Sequence, residues 1–226
     1  KMVAWFRTDG LCRDIYSRVV YGARVSLLVG VAVALISVVC GLFFGLLAGF
    51  FRLLDAVIMR IMDGLMAIPA ILLAIAMVSL FRSSVWTVII AITVPQVPGV
   101  VRLVRSIVLS VREEPYVEAA VTLGTSTPKL LWRHVLPNTI APMIVQGTFI
   151  CASAILIEAI LSFLGIGVPP EVPTWGNIMA EGRQVFSLFP LNIIYPGVCL
   201  ALTILAVNVL GDGLRDTLDP KMAKRV

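Results

Sequence analysis

The chain has 226 residues, of which 59% are hydrophobic and 14% are charged, and its mean hydropathy is +1.01. Soluble domains carry roughly 25% charged residues, so this composition excludes a soluble globular protein and indicates an integral membrane protein. The net charge of +5 comes from residues at loop ends beside apolar segments, where anionic lipid headgroups are the expected counter-charge. We therefore expect membrane lipid and no nucleic acid among its partners.

Five apolar runs are long enough to cross a hydrocarbon core, which takes roughly 17 to 25 residues. They are Val25 to Phe51, Gly64 to Phe81, Ser83 to Val101, Thr139 to Phe163, and Leu188 to Gly211. The sequence therefore predicts an all-α polytopic membrane protein with five transmembrane helices, in a single domain over 1–226 with its membrane core at 24–211. A tight turn at Arg82 to Ser84 joins the second and third runs, which we expect to form a hairpin.

Lysine and arginine are enriched in cytoplasmic loops, so their distribution predicts the orientation. With a cytoplasmic C-terminus and a cytoplasmic tail at 212–226, eleven of the 18 Lys and Arg residues lie inside and seven lie outside. Five of those seven precede residue 25 and oppose this orientation. The opening residues lack a signal-peptide pattern, and we hypothesise that a sixth span precedes Lys1, which would place this basic segment after an exported helix.

The start of the chain predicts an interfacial helix and a closely packed first span. The segment Asp14 to Ser26 combines charged residues with tyrosines that suit the headgroup level. In the first span, Gly41, Gly45 and Gly49 recur at every fourth position and form a ridge along which another helix can pack closely. The following segment, 51–64, mixes charged and apolar residues as a cytoplasmic surface helix does.

The third span contains Pro95 and Pro98, which interrupt backbone hydrogen bonding. Within a membrane such interruptions persist only where protein or a water-filled cavity covers them. Gln96, between the two prolines, is therefore a candidate pathway residue, and a simple helix kink is the alternative. Arg102 and Arg105 end the span at helical spacing, and we expect both side chains to snorkel into the headgroups.

The polar segment 112–138 predicts two short helices outside the membrane. Pro115 suits the first position of one helix, and Gly124 is a natural C-terminal stop for it. A second helix is expected over Lys129 to Val135, ended by Pro137.

One face of the first of these helices carries almost no side-chain bulk. Glu118, Ala119 and Ala120 followed by Gly124 leave a surface that the groove of a partner can approach closely. An amphipathic cytoplasmic loop that rests on the membrane surface is the alternative.

The fourth span holds one carboxylate, Glu158, well inside an apolar run. An acid within a membrane is costly and is by default a candidate functional residue. Ser162 follows one helical turn later and can lie on the same face. Both are candidate pathway residues, and for Glu158 we expect a position near the outer end of the span that faces water.

The loop at 164–189 is the longest on the outer side, and loops of this length usually have a function. Three prolines extend its first part, and Thr174 is predicted to cap a short helix. Trp175 is placed either to anchor the loop at the membrane interface or to contact a docked partner.

Four parts of the chain resemble one family. The residues Glu118, Ala119, Ala120 and Gly124 together with Leu136 and Pro137 resemble the EAA motif of ABC-importer permeases. The segment Thr8 to Ser26, the outer loop FLGIGVPPEVPTWGNIMAEGR and the tail GDGLRDTLDPK are similar to the C-type permeases of dipeptide, oligopeptide and nickel importers. The resemblance covers about Thr8 to Pro220.

The resemblance implies a type I ABC importer permease fold in a bacterial inner membrane. It implies that the six motif residues form a coupling loop in a cleft of an ATPase subunit. It also makes Pro170, Thr174 and Trp175 candidates for docking an extracytoplasmic substrate-binding protein. The implied partners are a homologous permease, this binding protein and two ABC ATPase subunits, which hold the ATP and magnesium, so no cofactor is expected in this chain.

The expected function is therefore a permease subunit that moves peptides across the inner membrane and is not itself an enzyme. The sequence contains no GxxxxGK[ST] segment and no arrangement typical of a hydrolase, and its four cysteines have neither disulfide nor metal-ligand spacing. A permease for nickel or glutathione, an ATP-independent channel subunit and a membrane scaffold are the alternatives.

Overall fold

The computed structural model describes residues 15–81 and 83–218, and all regular secondary structure there is helical. The predictions for residues before Ile15, for Arg82 and for the tail after Leu218 lie outside the described residues. The helices are α1 (Ile15–Phe50), α2 (Arg52–Met66), α3 (Ala70–Leu80), α4 (Val85–Arg112), α5 (Pro115–Thr122), α6 (Thr127–Leu130), a π-helical turn (Leu131–Val135), α7 (Leu136–Phe163), α8 (Trp175–Gln184) and α9 (Leu191–Leu218).

Four of these segments are long and apolar enough to cross a membrane, namely α1, α4, α9 and the continuous run from α6 to α7. The bent pair of α2 and α3 gives a fifth candidate span when it is counted as one, and the predicted all-α membrane fold is confirmed. The interfacial helix expected before the first span is not separate from it, because α1 continues without a break from Ile15 to Phe50.

The second predicted span needs correction, because Gly64 to Phe81 is not one straight helix. α2 ends at Met66, Pro69 precedes α3, and the two helices meet at 88°. A proline disfavours helical geometry in the residue before it, which explains a break at this position. With 11 residues, α3 is only about 17 Å long and is too short to cross the membrane alone.

The helices alternate in direction, so the loops collect at two ends of the molecule. The outer end comprises the start of α1, residues 83–84 and the segment 164–190. There the Ser83 hydroxyl donates to the Gly167 carbonyl at 2.6 Å, which fixes the predicted hairpin of α3 and α4 against this loop. The inner end comprises α2, the loop from α5 to the π turn, and the end of α9.

The charge distribution over the two ends agrees with the predicted orientation. Among the described residues, eight Lys and Arg residues lie at the inner end and three at the outer end. The inner end is therefore the cytoplasmic one by the positive-inside rule.

α1 and α4 pack along the glycine ridge that the sequence predicted. A Cβ atom at Gly45 would lie 2.6 Å from the Cβ of Val104, and one at Gly49 would lie 2.6 Å from that of Val108. Both valines are fully buried. The absence of side chains on α1 lets the two helix backbones approach closely, as small-residue ridges do in membranes.

Arg102 and Arg105 both have carboxylate partners that the sequence did not indicate, and the expectation that they snorkel into the headgroups stays a prediction. Arg105 forms two hydrogen bonds to the Asp55 carboxylate, at 2.5 and 2.6 Å. Arg102 pairs with Asp63 at 2.5 Å. Both carboxylates lie on α2, which turns back beside α4, so two ion pairs join these helices at the inner end.

Candidate functional site

The predicted coupling loop is exposed at the inner end, and Gly124 ends its first helix as expected. Gly124 has a φ of +78°, its amide donates to the Val121 carbonyl at 2.9 Å, and the Thr125 amide donates to the Ala120 carbonyl at 3.1 Å. Side chains with a Cβ are strained in this left-handed conformation, which glycine adopts freely. No atom lies within 4 Å of the position that a Cβ would occupy at Gly124, so the glycine surface is open.

The small-residue face of α5 divides into an exposed part and a buried part. Glu118, Ala119 and Gly124 are exposed, whereas Ala120 is 9% exposed. Ala120 lies one turn after the buried Val117 and therefore packs inward with it. The adjacent Leu123 is 85% exposed, so an apolar side chain stands beside the open glycine surface.

The second half of the motif lies at the start of α7, where Leu136 is half-buried and Pro137 is exposed. Pro137 does not end a helix, contrary to the prediction, because the π turn continues directly into α7. Proline is tolerated in the first turn of a helix, where its missing N–H needs no partner within that helix. The predicted second short helix is therefore the first part of a 37-residue helical run, Thr127–Phe163.

Polar contacts connect α5 directly to this long run. The Asn138 side-chain amide donates to the Tyr116 hydroxyl at 3.2 Å and to the His134 carbonyl at 2.6 Å. The Tyr116 and His134 rings lie 5.9 Å apart. The two contacts of Tyr116 bring the two halves of the motif to one surface, and sequence reasoning missed them because Tyr116 is 18 or more positions from either partner.

Arg112 fixes the end of α1 beside the same loop. Its guanidinium donates to the Gly49 carbonyl at 3.1 Å and lies 5.2 Å from the centre of the Phe50 ring. A cation at a helix C-terminus satisfies carbonyls that lack helical partners and complements the helix dipole. A cleft of about 500 Å³ lies between this contact and α5, lined in part by Glu118 and Thr125.

The candidate pathway residue Gln96 lies on α4, which remains helical through both prolines. Its side-chain amide donates to the Ser153 hydroxyl of α7 at 3.2 Å, and both residues are half-buried. A polar pair thus bridges two membrane-spanning helices. The only signal for Ser153 in the sequence was its polarity within an apolar span.

Glu158 is fully buried, so the expectation that it faces water was wrong. Its carboxylate accepts hydrogen bonds from the Ser162 hydroxyl at 2.8 Å and from the Ser26 hydroxyl of α1 at 3.1 Å. The residue does lie near the end of α7, but α8 covers this end. Gly176 packs there so closely that a Cβ would lie 2.6 Å from the Ala159 carbonyl oxygen.

The outer loop is held by its own polar contacts. The Thr174 hydroxyl accepts from the Asn177 amide at 3.2 Å, which confirms the predicted helix cap. The Asn177 side chain donates to the carbonyls of Val168, Pro169 and Val172 at 3.0 to 3.1 Å. These bonds fold the proline-rich segment back onto α8.

Two of the three candidate docking residues are buried within the chain. Thr174 is fully buried, and Trp175 is 3% exposed with its indole N–H donating to the Val19 carbonyl at 3.0 Å. Their side chains anchor the loop internally and cannot form a docking surface in this conformation. Pro170 is exposed. A bidentate ion pair between Arg18 and Glu181, at 2.5 and 2.9 Å, further joins α1 to α8.

Comparison with known proteins gives one consistent family. The sequence pattern of the family described as "binding-protein-dependent transport system inner membrane component" matches residues 26–224. A probable peptide ABC transporter permease protein of Sinorhizobium fredii is 55% identical over 221 residues, which cover 98% of this chain and 76% of that protein. A dipeptide transport system permease protein of Alkalihalophilus pseudofirmus is 44% identical over 219 residues, covering 96% and 72%.

The fold is also similar to a solved structure. A chain of the MetNI methionine ABC transporter, in an inward-facing conformation, aligns with a TM-score of 0.71 and 18% sequence identity. The alignment covers 89% of this chain and 96% of that one. At this identity the similarity concerns the fold alone, and it confirms the expected importer-permease architecture.

Proposed function

The chain belongs to the family of inner membrane components of binding-protein-dependent transport systems, and we propose that it carries small peptides inward as one permease of an ABC importer. The names of the relatives, which are peptide and dipeptide permeases, support the substrate class. The observation that carries the transport role is the exposed surface formed by Glu118, Ala119 and Gly124 at the inner end.

In this proposal the chain forms the pathway with a second, homologous permease. Two ATPase subunits bind at the inner end, and a substrate-binding protein delivers peptide at the outer end. The ATP and magnesium belong to the ATPase subunits, and this chain needs no cofactor of its own.

The coupling step follows from how the loop is attached. The α5 surface enters a cleft of an ATPase subunit, with the open glycine surface at Gly124 allowing close approach. Contacts of Asn138 with Tyr116 transmit the displacement of α5 to the long α6–α7 run. Closure of the ATPase subunits on ATP thereby changes the relative stability of inward and outward states, as a ligand with different affinity for two conformations does.

The experiment compares three variants of the whole complex in membrane vesicles that contain the binding protein. Gly124→Trp fills the open surface and should abolish both dialanine uptake and the stimulation of ATPase activity. Gly124→Asn tolerates the left-handed conformation with little bulk, so it should retain most uptake. Gly213→Trp is the matched control, since Gly213 is also at the inner end with no atom within 4 Å of its Cβ position.

Normal uptake by a well-expressed Gly124→Trp variant would refute the coupling role. Uptake of nickel or glutathione in place of dialanine and longer peptides would refute the peptide assignment while leaving the coupling role intact. Passage of dialanine without ATP would favour a channel.

A further inference from the structure

A cavity that holds three polar side chains lies between α4, α7 and α9 in the inner half of the molecule. Its volume is about 700 Å³, and its lining includes Leu103 of α4, Asn138 and Gln146 of α7, and Arg215 of α9. The described lining contains no Asp or Glu residue. Two amides and one guanidinium are therefore the polar groups in an otherwise apolar lining, with the cation at the inner mouth.

The polar residues continue beyond the cavity along the facing sides of two helices. On α7, Asn138, Gln146 and Ser153 fall within an arc of about 80° at 100° per residue. On α4, Gln96 lies seven residues before Leu103 and therefore on the same face. Because Gln96 bonds to Ser153, the stripe runs from the inner mouth to the middle of the spans.

Gln146 is the least satisfied member of this stripe. It is half-buried, and no hydrogen bond joins its side chain to another of the described residues. In addition, Pro142 in the cavity wall has no N–H, so the Asn138 carbonyl lacks its usual helical donor. Amides and free carbonyls persist at membrane depth only beside protein partners or a water-filled space. These groups therefore indicate a space that holds water or a polar ligand.

The chemistry of the stripe matches a peptide main chain. Each side-chain amide offers donors and an acceptor, and each peptide unit presents one N–H and one C=O. Uncharged amides do not discriminate among the side chains of the transported peptide. The guanidinium of Arg215 suits the carboxylate at the peptide's C-terminus, since charge-assisted hydrogen bonds are the stronger ones.

We propose that Gln96, Ser153, Gln146 and Asn138 form this chain's wall of the substrate pathway and bind the main chain of the peptide, with Arg215 receiving its carboxylate at the inner mouth. This inference rests on the proposed function of the chain as a peptide permease. It adds the residues that contact the substrate and the groups of the substrate that they recognise.

The opposite side of α7 provides an internal control for the first experiment. A groove of about 570 Å³ between α1, α7 and α9 is lined almost entirely by apolar side chains and includes Cys151. Cys151 is five residues from Gln146 and half-buried as well. The two positions therefore compare a polar and an apolar environment on one helix.

The first experiment measures water access in the whole complex, in inside-out vesicles. Cys12, Cys40 and Cys199 are replaced by alanine, Cys151 is retained, and Gln146→Cys is introduced. A cationic, membrane-impermeant methanethiosulfonate reagent should modify the cysteine introduced at position 146 about tenfold faster than Cys151, because the reactive thiolate requires a polar environment. Dialanine should slow the modification at position 146 only. Equal rates at the two positions, or no protection by dialanine, would overturn the inference.

The second experiment measures ATP-dependent dialanine uptake. Loss of one hydrogen bond in Gln146→Leu should raise KM between about two- and tenfold, with a smaller change in kcat. Asn208→Leu is the matched control, since Asn208 lies on α9 outside the cavity lining. An equal loss in both variants, or none in Gln146→Leu, would overturn the inference. Failure of the unsubstituted complex to transport any peptide would instead refute the proposed function.

Discussion

Replacing Gly45 with alanine should force α1 away from α4. The added Cβ would lie 2.6 Å from the Cβ of Val104 and 3.0 Å from the Val101 carbonyl oxygen. Optimal carbon–carbon contacts lie near 3.5 to 4.0 Å, so the helices must separate by about 1 Å. Val104 cannot relieve the contact by a rotamer change because its Cβ is fixed to the backbone. Overpacking of this kind costs about 1–3 kcal/mol.

The measurement must separate this cost from the higher helix propensity of alanine, which is worth about 1 kcal/mol relative to glycine. Gly213→Ala supplies the reference, because Gly213 is inside α9 and its Cβ position has no neighbour within 4 Å. The difference between the two variants isolates the steric cost. For a chain of this size each kcal/mol shifts the unfolding midpoint by about 2–4 °C.

Thermal unfolding of the purified complex can be followed by tryptophan fluorescence, since Trp175 is buried and becomes exposed on unfolding. We expect Gly45→Ala to unfold at a lower temperature than Gly213→Ala, by about 2–12 °C. Equal midpoints for the two variants would show that α1 and α4 are not in close contact at Gly45, and the role of the glycine ridge would be refuted.

Three further predictions concern the outer cap, the buried acid and the inner ion pairs. Thr174→Ala should destabilise α8 by about 1 kcal/mol and speed amide hydrogen exchange in that helix, whereas Thr174→Ser should leave exchange unchanged because it keeps the capping hydroxyl. Unchanged exchange in Thr174→Ala would argue against the cap. Glu158→Leu should lower the free energy of unfolding by about 1–3 kcal/mol because Ser26 and Ser162 lose their hydrogen-bond acceptor. Glu158→Gln keeps one acceptor oxygen and should cost less, so identical unfolding midpoints for the two variants would contradict the buried network. Asp55→Asn should lower the free energy of unfolding by at most about 1 kcal/mol, and this loss should shrink at high salt. A larger loss that does not depend on salt would show that solvent does not screen the ion pair between Asp55 and Arg105.

Local signals in the sequence were sufficient for several elements. The spacing of Gly41, Gly45 and Gly49 predicted a packing ridge, and the structure places valines of α4 against it. Gly124 and Thr174 were recognised as a helix stop and a helix cap because both roles depend on residues within four positions. Such signals need no knowledge of which helices become neighbours.

The errors arose where a distant helix supplies the partner. The partner of Arg105 was missed because Asp55 is 50 positions away in the chain and lies beside it only after α2 turns back. Glu158 was expected to face water because no residue near it in the chain indicates that α8 covers the end of α7. The end of a helix was predicted at Pro137 because proline often ends helices, whereas the π turn before it continues directly into α7.

The continuity of this helix determines how the proposed function could work mechanically. The run Thr127–Phe163 has 37 residues and is about 56 Å long at 1.5 Å per residue. It carries Pro137 of the coupling motif at its inner end, Gln146 of the proposed pathway near its middle, and Glu158 beneath α8 near its outer end. Under the proposed function, displacement of its inner end by an ATPase subunit reaches the pathway wall and the outer cap through this one helix. Under the proposed function, one element therefore links ATP-driven motion to both substrate contact and outer closure.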